Sequence, residues 1–133
     1  MSPPAFLVPG RPCVFHVRMG GCGGCTEMVD AALRDGRGFR RLCECTSPRH
    51  AEAAVVTGCW TDELAEAASR VISQAPAGGS LVVVGDCALG LGFITERARL
   101  TRSVLEAFDA DLEVAGCPID VAEFVEGVRR VAG

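Results

Sequence analysis

Short apolar runs and amphipathic stretches alternate along almost the whole chain, and this alternation limits the folds open to it. Cys13–Arg18 (CVFHVR), Phe39–Cys45, Ala53–Thr57 (AAVVT), Leu81–Gly85 (LVVVG) and Leu112–Ala115 have strand character. Helical spacing fills the gaps between them. Thr26 stands before Val29, Ala32 and Leu33, with Gly36 and Gly38 as stop signals. Thr61 stands before Leu64, Ala67, Ala68, Val71 and Ile72, a continuous apolar stripe ended by Pro76 and Gly78. A third helix is expected over Glu96–Phe108, with Leu100, Val104 and Phe108 on one face. Asp120 caps a fourth that turns Val121, Phe124, Val125, Val128 and Val131 inward.

Connections this long exclude hairpins and call for right-handed crossovers between parallel strands. The expected architecture is α/β, a flavodoxin-like three-layer domain with a four- to five-stranded parallel sheet. Residues 1–12, with four prolines, are expected to form an extended arm, and 13–133 a single domain. The formal net charge of −4 and pI near 5.1 argue against a nucleic-acid partner. No window nears the ~18 apolar residues that span a bilayer, and no basic segment leads into an apolar one as in a secretory signal. A cytoplasmic location is expected, where thiols stay reduced. The thirteen basic residues are all arginine, which fits a coding bias better than a selected surface.

Eight cysteines are therefore the abnormal feature of the composition. Cys22 and Cys25 follow the first strand, Cys45 the second, Cys59 the third, Cys87 the fourth and Cys117 the fifth. In a parallel sheet all of these fall at the carboxyl ends of the strands, where such folds keep their ligand crevice. A structural zinc site favours paired CxxC motifs, and this chain has one, Cys22-Gly-Gly-Cys25. An iron–sulfur cluster accepts single thiolates from several loops. Gly20, Gly21, Gly23, Gly24, Gly85 and Gly116 would let backbone amides approach its sulfurs. The competing reading is a thioredoxin-like dithiol at Cys22 and Cys25, and a structural zinc module is the third. Cys13 is expected in the core. Cys43, Cys45 and Cys59 either fill buried apolar positions or supply a further metal or disulfide at the ligand edge. Trp60 is expected to pack in the core or at an interface.

Cys22-Gly-Gly-Cys25-Thr26-Glu27, Thr46-Ser-Pro-Arg-His50-Ala51-Glu52, Val56-Thr57-Gly58, Gly85-Asp-Cys87-Ala88 and Gly116-Cys117-Pro118 occur in that order. Together they resemble the small subunit of [NiFe] hydrogenases and the 20 kDa cluster subunit of respiratory complex I. The CxGCxE form and the SPRHA segment are closest to the energy-converting, membrane-bound hydrogenase branch. The resemblance covers about residues 13–131 and implies one [4Fe–4S] cluster on Cys22, Cys25, Cys87 and Cys117. It also implies electron transfer with a large catalytic subunit of nickel–iron or quinone-binding type, alongside further electron-transfer subunits. Such a complex would sit at the cytoplasmic face of a membrane. Glu27 corresponds to an acidic residue near the subunit contact, a candidate for proton transfer; a glutamate there is equally a first-turn charge favoured by the helix dipole. Arg49 and His50 could donate hydrogen bonds toward the cluster or serve only the local backbone. The chain departs from the family pattern after Cys117, where Pro118-Ile119-Asp120 replaces a second proline and a basic residue. It departs again after Cys87, at Leu89-Gly90-Leu91-Gly92, and at Cys59, where proline is common.

Overall fold

A computed structural model describes residues 12–19, 24–34, 42–74, 79–89, 101–102, 108–116 and 119–132. In chain order the elements are β1 (Cys13–Arg18), α1 (Gly24–Arg34), β2 (Cys43–Glu44), a single 3-10 turn (Pro48–His50), β3 (Ala53–Thr57), β4 (Trp60–Thr61), α2 (Asp62–Ser73), β5 (Ser80–Val84), β6 (Thr101–Arg102), β7 (Leu112–Val114) and α3 (Val121–Ala132). Five strands form one parallel sheet in the order β2-β1-β3-β5-β7. The chain runs outward from β1 to β2, then crosses back to β3 and proceeds the other way. The winding direction thus reverses between β1 and β3, the place where flavodoxin-like sheets open their crevice.

The strands at the centre are apolar on both faces because both faces are covered. Val14, Val55, Val82, Val84 and Val114 pack under α1 and α3, against Val29, Ala32, Phe124, Val125 and Val128. Val17, Ala54, Val56, Leu81 and Val83 face the other way and meet Ala68 and Ile72 of α2. Helix caps follow the sequence: the Thr61 hydroxyl accepts from the Leu64 amide, and Asp120 Oδ1 accepts from the amides of Ala122 and Glu123.

The α/β class, the parallel sheet and the three layers are as the sequence pattern requires. Three local expectations differ. Helix α1 begins at Gly24 rather than after a cap at Thr26, and the Thr26 hydroxyl is engaged instead across the sheet edge with Thr57. The second strand, expected over Phe39–Cys45, is only Cys43–Glu44 among the described residues. Within the expected helix Glu96–Phe108, Thr101–Arg102 instead pair antiparallel with Trp60–Thr61, a long-range pairing that local periodicity does not register. The rest of that helix up to Phe108, and the expected arm up to Arg11, lie outside the described residues, as do the stop signals Gly36, Gly38, Pro76 and Gly78.

Replacing Phe124, which has no exposed surface, by alanine should cost about 3–5 kcal/mol. Removing the cap in Asp120→Ala should cost about 1 kcal/mol. Urea denaturation checks both, with the larger fall in midpoint expected for Phe124→Ala.

Candidate metal centre

Three strands of the sheet leave it through a glycine with positive φ: Gly58 (91°) after β3, Gly85 (92°) after β5 and Gly116 (146°) after β7. Such angles are cheap for glycine and strained for other residues. Each glycine stands one or two positions before a cysteine, namely Cys59, Cys87 and Cys117.

Cys25, in the first turn of α1, closes on two of these exits. A Cβ placed on Gly85 would lie 2.7 Å from Cys25 Sγ, so only glycine leaves room for the thiol. The same thiol donates a long contact of 3.8 Å to the Gly116 carbonyl. The two exits are also clamped to each other. The Gly85 amide donates to the Val114 carbonyl at 2.7 Å and the Asp86 amide to the Gly116 carbonyl at 3.0 Å. In return the Gly116 amide donates to Asp86 Oδ1 at 2.8 Å. The first turn of α1, which carries Cys25, and the exits of β5 and β7 at Gly85 and Gly116 therefore meet at the carboxyl edge. Cys25 and Cys87 are half-buried there; Cys22 and Cys117 lie outside the described residues. Soft sulfur donors in a glycine-lined cradle suit an iron–sulfur cluster or another thiophilic metal, and no hard oxygen-binding cation.

Thr26, next to Cys25, joins a polar chain that is buried at His16 and Thr57. His16 Nε2 is 2.7 Å from Thr57 Oγ1, and Thr57 Oγ1 is 2.9 Å from Thr26 Oγ1. On its other side His16 Nδ1 is 3.0 Å from Asp30 Oδ1, which also accepts from Arg18 Nη2 at 2.6 Å. Arg18 Nη2 reaches Glu44 Oε1 at 3.2 Å as well. A carboxylate only accepts, so Nδ1 of the neutral imidazole carries the hydrogen toward Asp30 and Nε2 accepts from Thr57. The Thr57 hydrogen is then used, so Thr26 donates to Thr57. Burial holds the His16 imidazole below its ordinary 6.5, against the opposing hydrogen bond to Asp30. For Asp30 burial pushes upward, but the hydrogen bonds from Arg18 and His16 outweigh it and leave the carboxyl below its ordinary 3.8.

The other residues singled out in the sequence are distributed differently. Glu27 is exposed in the first turn of α1, at the same edge as Cys25. Cys59 is a buried free thiol just past β3. Cys45 is not at this edge. β2 is two residues long and its Cys43 lies opposite Cys13, the first residue of β1, so Cys45 stands at the amino ends of the strands. His50 follows it there, its carbonyl oxygen 3.6 Å from Cys45 Sγ. The length of β3 thus separates His50 from Cys25 and Cys87, and a hydrogen bond from His50 to a group held by them does not fit this placement. Nor is Cys13 plain core filling: it forms a disulfide with Cys45, and Cys43 lies beside them. Two cysteines two residues apart in a strand share a face, but their meeting with Cys13 depends on register, which the sequence does not display. Sequence reasoning also missed His16, Thr57 and Asp86, polar residues whose partners are distant in the chain.

Residues 22–131 match the family described as NADH ubiquinone oxidoreductase, 20 Kd subunit. The chain belongs to that family. Among its relatives is mbhJ of Pyrococcus furiosus, a probable membrane-bound hydrogenase subunit, 32% identical over 88% of this chain and 71% of that protein. A subunit of the F(420)H(2) dehydrogenase of Methanosarcina mazei is 31% identical over 61% of this chain and 44% of its own length. In fold the chain is similar to a chain of the membrane-bound sulfane sulfur reductase, an archaeal respiratory membrane complex. The TM-score is 0.71 at 20% identity, over 92% of this chain and 69% of that one. No helix among the described residues of this family member is long and apolar enough to cross a membrane.

Gly85→Ala should destabilise the chain by more than about 1 kcal/mol, since it adds a disfavoured backbone conformation to the clash with Cys25; the urea midpoint reads this. A neutral buried His16 gives a definite sign to the pH dependence. Its folded pKa lies below the unfolded value, so its contribution is complete above about 6.5 and declines as the pH falls below that. Asp30 adds a loss of the same sign only in stronger acid, as the pH drops through its lowered value. The urea midpoint should therefore fall between about pH 7.5 and pH 5.5, and His16→Gln should flatten that fall.

Proposed function

We propose that this chain carries one [4Fe–4S] cluster on Cys22, Cys25, Cys87 and Cys117. It passes electrons to or from a catalytic centre on a larger partner subunit of a hydrogenase-like or quinone-reducing complex. The observation that supports this reading is the packing of Cys25 Sγ against Gly85 and its contact with the Gly116 carbonyl, which brings Cys25 to the exits of β5 and β7. Family membership supports it independently, as do the names of the relatives, which are subunits of a membrane-bound hydrogenase and of a dehydrogenase. A dithiol enzyme would need only Cys22 and Cys25, and would leave the convergence of the β5 and β7 exits on Cys25 without a purpose.

When bound, such a cluster supplies one-electron redox chemistry. The chain's own residues do the rest. Four thiolates hold the group, and Gly85 and Gly116 leave space beside Cys25. The Asp86–Gly116 clamp keeps the two exit loops from separating as charge changes. Thr26, Thr57 and His16 fix the first turn of α1, and with it the direction of Cys25. Glu27, exposed at the same edge, faces the partner subunit and is the candidate for moving a proton across that contact. The partner holds the reacting substrate, and the complex places this chain at the cytoplasmic face of a membrane.

Anaerobic purification followed by iron and sulfide analysis tests the reading. About four irons and four sulfides per chain, with an EPR signal on reduction, is the expected result. Cys25→Ser and Cys87→Ser should each lose most of the iron. Fewer than about two irons with about one zinc would overturn the cluster in favour of a zinc module, and redox activity that survives Cys87→Ser without iron would indicate a dithiol.

A further inference from the structure

The amino ends of the strands hold a second group of thiols that the cluster does not use. Cys13 and Cys43 are register partners on β1 and β2. Cys45 continues past β2, its amide bonded to the Val14 carbonyl, and so returns to the face that Cys43 occupies. The three Sγ atoms lie within 4.8 Å of one another. All three residues are buried, at 3, 5 and 9% exposure, against Ala51 and Phe15. Glu44, between Cys43 and Cys45, points away from them and pairs with Arg18.

We propose that Cys13, Cys43 and Cys45, once reduced, form a site for a divalent thiophilic ion of the zinc class, and that the Cys13–Cys45 disulfide is its closed, metal-free state. Zinc–sulfur bonds of about 2.3 Å put tetrahedral thiolates about 3.8 Å apart, a spacing the triad can adopt without moving its strands. Charge selects the ion. Three thiolates with a divalent cation leave one net negative charge in a buried place, and a monovalent cation would leave two, which costs more. The fourth position falls on the side of the 45–51 turn, where the His50 carbonyl oxygen approaches Cys45 Sγ.

The chemistry balances in two steps. A dithiol reductant gives two electrons and two protons to the Cys13–Cys45 bond, which becomes two thiols while the reductant leaves as its own disulfide. The ion then displaces three protons to water and forms three metal–sulfur bonds. Reoxidation of Cys13 and Cys45 by a disulfide oxidant of the same class breaks two of those bonds, and the reduced oxidant takes up two protons as a dithiol; the Cys43–metal bond then exchanges for a proton from water and the ion leaves. The site is separated from the cluster thiols by the length of β3, about 16 Å, and the proposal does not rest on the cluster.

The test is a zinc titration of the full chain, purified anaerobically, reduced with a phosphine and read by native mass spectrometry. One zinc per chain is expected. It should persist in Cys25→Ser, and it should be lost in Cys43→Ser and Cys45→Ser, with affinity falling beyond the ~10–100-fold typical of an outer-shell change. Diamide oxidation before the titration should abolish it. Zinc bound equally by Cys43→Ser and the unaltered chain, or lost only in Cys25→Ser, would overturn the proposal. Zinc-edge X-ray absorption of the unaltered chain gives the same decision without variants. Three sulfurs and one oxygen are expected, whereas four sulfurs would move the ion to the carboxyl edge.

Discussion

The Thr57 hydroxyl, bonded to His16 on one side and Thr26 on the other, is the interaction on which the rest of the site depends. It lies where the sheet reverses its winding, at the ends of β1 and β3. Through Thr26 it fixes the first turn of α1, and therefore the position of Cys25. Through His16 and Asp30 it ties that turn to the middle of the same helix. Each of these polar groups is satisfied, so together they behave as a rigid post; a buried donor or acceptor left unmatched would cost about 1–3 kcal/mol. Without this post the close approach of Cys25 Sγ to Gly85 would be one arrangement among many.

The two ends of the sheet use cysteine in different ways. At the carboxyl edge Cys25 stands in the first turn of α1 and Cys59 and Cys87 follow glycines of positive φ, and Cys25 and Cys87 remain half-buried. That suits a group which must be held by several loops and face a partner. At the amino edge Cys13 and Cys43 belong to strands, and with Cys45 they are closed over by apolar neighbours. There the backbone is already fixed by the parallel ladder, which holds the three sulfurs near one another. Which edge a cysteine occupies thus says more about its chemistry than its distance from other cysteines in the sequence.

Much of the fold is legible in the chain. Ala53–Thr57 and Cys13–Arg18 are strands at the expected residues, and the caps at Thr61 and Asp120 function as their positions require. These features are local, set by period and by side-chain oxygen. The approach of Cys25 to Gly85 and Gly116 is legible too, because a parallel sheet sends every strand end to one edge. What is not legible depends on long-range register. The pairing of Cys13 with Cys43 moves Cys45 and His50 to the opposite edge, and the pairing of Trp60–Thr61 with Thr101–Arg102 replaces a turn of expected helix. His16 alternates with valines and reads as an interruption in a strand until Asp30 and Thr57 are seen around it.

Membership in the 20 kDa subunit family gives the carboxyl edge its context, and the geometry says which thiol the edge is built around. The most direct test is anomalous X-ray diffraction at the iron absorption edge, on crystals of the anaerobically purified chain. The account predicts a single compact iron peak beside Cys25 Sγ, between the Gly85 and Gly116 exits. Iron located instead among Cys13, Cys43 and Cys45, or no iron at the carboxyl edge, would contradict it.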